Sequence, residues 1–267
     1  MGSKLKILSM GWGVQSWALA AMFALDEIDA PRPDVILHAD TTWEHEHTYE
    51  AAKMASFLRN HGFDYRCVSD PEAARGIECT EGRTHAPLYT VCLKTGSTGI
   101  LRRSCTQRWK IVPQRREIRR IMAKRDIKPS AGIVTQYIGI SIDEWTRMKD
   151  SDVKYITLDF PLADARISKQ GCIEWLKSKG LPVFPSSSCI FCPYHSHYKW
   201  YLLKTEGGRD WEEAIRMDRL VRHKRRGYLC YFSDKRIPLE DLTFGEFEGP
   251  FLFDMTNYPC DSGHCFL

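Results

Sequence analysis

Cys189-Ile190-Phe191-Cys192-Pro193 places two thiols on one short turn, followed by a proline that stops the chain from continuing regularly. A lone C-x-x-C suits zinc, an iron–sulfur cluster or a redox dithiol. Zinc needs four closed ligands, and the sequence has no second C-x-x-C. A thioredoxin-like dithiol would open a helix after the first strand, not lie late in the chain. Another thiol, Cys105, stands among Arg103, Arg108 and Lys110. Nearby cations favour a thiolate and can bind sulfate or phosphate. Cys105 and Lys110 are therefore candidate catalytic residues, and Arg103, Arg108 and Lys110 candidate anion ligands. The competing reading is a free thiol on a basic surface helix. Cys105, Cys189 and Cys192 together suffice for a [4Fe–4S] cluster. The fourth position then falls to His195, Cys172, Cys260, Cys265 or no protein ligand.

The segment Ser9-Met10-Gly11-Trp12-Gly13-Val14-Gln15-Ser16 carries a second chemistry. Glycines let a backbone turn tightly and approach an anion. A helix opening after them offers unpaired N–H groups and its positive dipole end. Ser9 and Ser16 add hydroxyls. A plain strand-to-helix turn explains the glycines equally well. Neither G-x-x-x-x-G-K-[ST] nor G-x-G-x-x-G is present. Asp40-Thr41 ends a second apolar run, where helix capping is the competing role. Gly139 follows a third such run and leads to Glu144 and Arg147, whose spacing also suits a simple helical ion pair. His45 and His47 read as a solvated helix start, with metal binding as the alternative. Tyr194, Tyr198, Trp200 and Tyr201 read as core packing, with base stacking as the alternative.

The elements that must position these groups alternate. Residues 5–10, 34–40 and 64–69 read as strands, and 15–25 and 44–61 as helices. This β-α-β-α-β order implies a doubly wound, mostly parallel sheet. Residues 71–104 read as a long loop, 111–125 as a basic helix and 133–140 as a buried strand. A helix over 168–179 is closed by Gly180 and Pro182, and one or two more follow to about 226. The division expected is a single α/β domain over 1–267, with a nucleotide-binding core in 1–150 and a cysteine-bearing C-terminal extension in 151–267.

Composition narrows the setting. The 267 residues carry a formal charge of +4, which permits an anionic ligand without demanding nucleic acid. No apolar run is long enough to span a bilayer, and no signal-peptide pattern opens the chain. A cytoplasmic protein is expected. Ten cysteines there point to metal or thiol chemistry rather than disulfides.

Four segments carry a resemblance across roughly residues 5–195, in matching order. Gly11-Trp12-Gly13-Val14-Gln15-Ser16 resembles the S-G-G-x-x-S loop of the PP-loop superfamily, with Trp12 in place of a glycine. Asp40-Thr41-Thr42-Trp43-Glu44 is similar to D-T-G-x-E of the phosphoadenosine phosphosulfate (PAPS) reductase-like family, with Thr42 in place of glycine. Arg103 to Pro113 resembles R-x-C-[CT]-x-x-x-K-x-x-P, and Gly139 to Arg147 resembles G-I-R-x-x-E-x-x-R with Ser141 in place of arginine. The resemblance implies an adenine nucleotide alpha hydrolase-like fold. It also implies ATP or another adenine nucleotide, with magnesium as an accompanying ion, held by Ser9, Gly11, Gly13, Gln15, Ser16, Asp40, Thr41, Gly139, Glu144 and Arg147. Some PP-loop sulfurtransferases use three-cysteine clusters, which implies Cys105, Cys189 and Cys192, with His195, as metal ligands.

Three functions follow. In the first, an acceptor (a nucleic acid or a small molecule) is adenylated and receives sulfur from a sulfur donor through the cluster. The second is a PAPS- or APS-type reductase served by a thioredoxin-like reductant. PAPS reductases end in E-C-G-x-H, and Cys260-Asp261-Ser262-Gly263-His264-Cys265 has the ingredients in another order, making Cys260 and Cys265 candidate catalytic thiols. The third is a non-catalytic nucleotide-binding protein with structural zinc.

Overall fold

In the computed structural model, residues 4–70 and 85–245 are described. Cys260 and Cys265 lie outside them.

The apolar run Leu5–Met10 forms β1, buried along nearly its whole length. A strand buried on both faces needs apolar residues at consecutive positions, as in a parallel sheet. The following helix α1, Val14–Ala24, has nine of its 11 residues buried, so it is covered on more than the sheet side. Strands β2 (Val35–Asp40) and β3 (Asp64–Ser69) come next. Helices α2 (Glu46–Ala52) and α3 (Ala55–Asn60) lie between them. The single helix expected over 44–61 is thus two, interrupted at Lys53 and Met54. β3 is the sheet edge, and its exposed Asp64 and half-buried Arg66 suit that position.

Residues expected as loop contain a hairpin, β4 (Tyr89–Cys92) and β5 (Thr98–Ile100). A π-helical turn over Thr106–Ile111 runs directly into α4, Val112–Lys124. Strand β6 is Val134–Ile138, followed by a 3-10 turn over Ile142–Arg147 and by β7, Ile156–Asp159. Helices α5 (Pro161–Asp164), α6 (Lys169–Ser178), α7 (His197–Glu206) and α8 (Arg209–Val221) complete the helical set, and β8 is Tyr228–Tyr231. Helix α6 starts at Ser168, whose side chain accepts from the Gly171 N–H as an N-cap.

The central sheet has order β3-β2-β1-β6-β7 and every pair is parallel. The fold is therefore α/β and doubly wound. Leu8 and Met10 of β1 pack with α1 and α6, while Leu5 and Ile7 pack with Ile118 and Ile121 of α4. A second sheet, β5-β4-β8, is antiparallel and packs with α7, α8 and the segment around Phe191.

The chain winds from β1 out to β3, then returns to β6 on the other side of β1. The carboxyl ends of β1 and β6 therefore form the switch point where ligands bind in such sheets. No helix among the described residues is long and apolar enough to cross a membrane.

Candidate functional site at the carboxyl ends of β1 and β6

The glycine loop opens at this switch point. The Gly11 N–H donates to Ser16 Oγ at 3.2 Å, and Ser16 Oγ donates to the Gly13 carbonyl at 3.1 Å. Gly13 is the N-cap of α1, and the Trp17 N–H takes its carbonyl. The N–H groups of Val14, Gln15 and Ser16 are thus left without intrahelical acceptors, as in any first turn. Trp12, at a position where the resembling loop has glycine, adopts φ +58°. It is fully buried, and its indole donates to Tyr65 at 3.1 Å. Packing against Trp17 and Tyr65 holds a conformation that costs an L-residue about 1–2 kcal/mol.

Gly139 ends β6 against this turn. A Cβ there would stand 2.7 Å from Ser16 Cα and 2.8 Å from Ser16 N. Only a glycine lets the two strand ends approach this closely. Gln15 reaches across, its amide donating to Ser141 Oγ and to Glu144 Oε2, both at 2.7 Å. Arg147 pairs with the same Glu144 oxygen. Gln15, Glu144 and Arg147 are therefore one connected group at the helix N-terminus. Ser9 lies elsewhere. Its hydroxyl donates to Gln114 at 2.7 Å and accepts from Gln136 at 2.6 Å, on the α4 side of the sheet. With Lys110, Arg115 and Lys149 it lines a small cavity of about 50 Å³.

At the end of β2, Asp40 accepts from the Thr42 N–H at 2.7 Å and from the Tyr49 hydroxyl at 3.2 Å. Thr42, the other position where the resemblance expects glycine, has φ +64°. The turn ends in Glu44, which is buried, while α2 starts only at Glu46. Glu44 receives Thr41 Oγ1 at 3.1 Å and Lys110 Nζ at 3.1 Å. Burial, the largest single effect, would raise this carboxyl, but Lys110, His38 and the Thr41 hydroxyl together more than offset it, so the pKa lies below its ordinary value. Lys110 is held inward by this pair, Arg103 donates to Thr106 Oγ1 at 2.7 Å, and Arg108 is exposed. Lys110 and Arg103 thus turn to different partners. Along α4, Arg115 and Arg116 face Asp152 and Asp70, so much of the basic run is used in surface pairs.

The C-x-x-C joins the carboxyl end of the sheet through the backbone. Glu44 and Cys189 form a β-bridge, the Ile190 N–H donates to the Trp43 carbonyl at 2.8 Å, and the His45 N–H donates to Ser188 O at 3.2 Å. Thr41 Oγ1 is 3.5 Å from Cys189 Sγ. Cys105 and Cys189 pack into the same cluster, and their charges would repel one another. Desolvation, then Glu44, pushes the Cys189 thiol up to about 12. Cys172 is buried under α6 in the main core. His195 packs edge-on to Trp200 and its backbone N–H donates to Cys192 O. Thiol donors suit iron or zinc, yet among the described residues no three His, Cys, Asp or Glu side chains converge as metal ligands. The described side chains do not form a cluster cage.

Two residues at this site carried no functional signal in the sequence. Ser187 lies over the glycine loop, its backbone N at 3.6 Å and its hydroxyl at 3.8 Å from where a Gly13 Cβ would be. Its pattern, a serine run before the C-x-x-C, gave no hint of that partner. Trp145, between Glu144 and Arg147, is 64% exposed. A large aromatic so exposed beside a polar cluster is a signal only once burial is known.

No protein-family model and no curated protein sequence matches the chain. Solved structures do resemble it. One is a phosphoadenylyl-sulfate (PAPS) reductase from Candida auris in a phosphate complex, at 12% identity and TM-score 0.40, covering 68% of this chain and 75% of that one. Another is the U34-tRNA thiolase NcsA from Methanococcus maripaludis with its [4Fe-4S] cluster, at 12% identity and TM-score 0.42, covering 81% of this chain and 71% of that one.

Proposed function

We propose that this protein is a PP-loop-type enzyme that binds an adenine nucleotide at the switch point and transfers sulfur to an acceptor activated by adenylation. The observation that carries the reading is the 43–45/188–190 pairing, which fixes the C-x-x-C beside the end of β2 while Ser187 lies over the glycine loop. Phosphates sit at the first turn of α1, where the free N–H groups and helix dipole favour anions. Arg147, steered by Glu144 and Gln15, neutralises phosphate charge, Trp145 stacks the base, and Asp40 and Thr41 face the ribose.

In the first step an acceptor oxygen attacks the α-phosphorus of ATP and pyrophosphate leaves with the bond electrons. In the second, the terminal sulfur of a cysteine persulfide, loaded by a sulfane-sulfur donor, attacks the activated carbon and AMP departs. The other thiol of the C-x-x-C then cleaves the mixed disulfide and releases the thiolated acceptor. A Cys189–Cys192 disulfide remains, and a dithiol reductant reduces it to the two thiols, becoming a disulfide itself.

Anaerobic protein incubated with polysulfide, trapped with iodoacetamide and mapped by mass spectrometry tests the sulfur half, and calorimetric titration with Mg-ATP tests the nucleotide half. The expectation is micromolar ATP binding and a persulfide on Cys192 or Cys189. Absence of ATP binding at millimolar concentration sinks the proposal. Iron and sulfide in the same preparation would move the sulfur chemistry from free thiols to a cluster.

A further inference from the structure

A cavity beside this site lies outside the glycine loop. It has a volume of about 390 Å³ and lies between α2, α7 and the start of α8. That is within the size range of small-molecule sites. Pro185 and Ser186 form one wall, and Ser186 Cα is 4.0 Å from the Gly13 Cβ position. The cavity and the glycine loop are therefore separated by a single strand of chain.

Its deep side is made by His45 and His47, which the sequence suggests as a solvated helix start. His45 is instead buried at 5% exposure, His47 is half-buried, and the two rings stack at 5.0 Å. His45 Nδ1 meets Asp210 Oδ2 at 3.1 Å, and His47 hydrogen-bonds to the Ser186 backbone. A carboxylate or carbonyl fixes the proton on the nitrogen it meets, so the other nitrogen becomes an acceptor. In both residues that other atom, Nε2, is buried and has no hydrogen-bond partner. Desolvation holds the His47 imidazole neutral, with a pKa lowered to about 4. Two buried acceptors without donors carry a desolvation cost that a ligand donor would relieve.

The rest of the lining matches a donor that is also a cation. Glu46, Glu50 and Glu206 line the cavity against one ammonium, Lys199, which donates to Ser188 Oγ at 2.5 Å. Glu50 is partly satisfied by Lys53 at 2.5 Å, whereas Glu46 and Glu206 make no ion pair with a described residue. Tyr198, Leu202 and Leu203 supply the apolar and aromatic wall, and an aromatic face also attracts a cation. We propose that this cavity is a binding site for a small organic cation, an ammonium on an apolar body, with His45 and His47 receiving its hydrogen bonds. That it holds the acceptor of the sulfur-transfer reaction rests on the proposed function; the binding itself does not.

Calorimetry with three molecules of one shape tests it: tyramine (cation), tyrosol (neutral) and para-hydroxyphenylacetate (anion). Tyramine should bind about tenfold more tightly than tyrosol, and the anion should not bind. The double variant Glu46→Gln/Glu206→Gln, which alters only exposed side chains, should weaken tyramine about tenfold. His47→Phe should abolish binding while leaving the circular dichroism spectrum unchanged. No binding of tyramine, equal binding of the anion, or an unaltered affinity in the double variant overturns the proposal. Titrating Mg-ATP into the same preparations separates the two readings. Tyramine binding without ATP binding leaves this site standing and removes the nucleotide reading, and the converse does the reverse.

Discussion

Lys110 Nζ lies 3.1 Å from Glu44 Oε1, with the two side chains 7% and 1% exposed. The pair ties the turn after β2 to the π-helical turn that follows Cys105. Removing one partner strands the other charge in a dry setting, which costs about 3–5 kcal/mol. Lys110→Met should lower urea stability by that amount, and Glu44→Gln/Lys110→Met should recover part of it. If Lys110→Met unfolds at the wild-type urea midpoint, the pair does not support the fold.

The same pair sets a pH dependence. The folded Glu44 pKa lies below its ordinary value because Lys110, with His38 and Thr41, outweighs burial. Its stabilisation is therefore complete above the unfolded carboxyl value of about 4.3. It is lost as pH falls through the depressed folded value. The wild type should lose stability more steeply below about pH 4 than the Glu44→Gln/Lys110→Met double variant, as read by urea midpoints across that range.

Gly139→Ala should be costly although alanine is small. The new methyl group meets Ser16 backbone at 2.7–2.8 Å, and backbone cannot swing aside. Overpacking of this kind costs about 1–3 kcal/mol. Because the displaced turn is where the proposed function places the phosphates, ATP affinity should fall by about tenfold or more. Thermal unfolding and ATP calorimetry read the two effects separately.

Thr42→Gly should stabilise. A β-branched residue at φ +64° is strained, and Thr42 is exposed, so little packing is lost. The Asp40 contact uses the Thr42 backbone N–H, which glycine keeps. A gain of about 0.5–1 kcal/mol is expected in urea unfolding, the glycine entropy cost having offset part of the relief. Loss of stability would show that the threonine side chain supports the turn.

Thiol reactivity should be graded. Hydrogen bonds from Thr95 lower the Cys92 thiol, whereas desolvation pushes Cys189 and Cys172 up to about 12. Only the thiolate reacts, so in metal-free protein at neutral pH iodoacetamide should label Cys92 about tenfold faster than either of the other two. Peptide mapping by mass spectrometry gives the order. Prior labelling of Cys189 would mean that its surroundings open in solution.

β1 and β2 were legible because they are largely apolar runs, and glycine marks the turn after β1. β3 runs over Asp64–Ser69 as the sequence suggests, and Ser168 caps α6 next to the expected start. The second sheet was not legible. β4 and β8 are four residues each, and β8 pairs with a strand far upstream, so no local periodicity marks them. At the site, the glycine turn and the Gln15–Glu144–Arg147 group could be named from motif spacing. The inward direction of Lys110 could not, because its partner Glu44 comes from another element. Alternation along β1 sets Ser9 on the face opposite Leu8 and Met10, which the residue's type does not reveal.

The pairing of Trp43–His45 with Ser188–Ile190 also bears on how the chain is made. A ribosome releases β1, β2 and β3 long before β6, so the inner edge of β1 emerges with its bonding groups open until Val134–Ile138 arrives to close it. The nascent chain meanwhile presents an apolar strand edge of the sort that templates aggregation. The seam after β2 waits longer still, until Ser188–Ile190 is translated. Early termination products should therefore be holdase clients rather than small folded proteins, and the C-x-x-C reaches the seam after β2 only when most of the polypeptide has been synthesised.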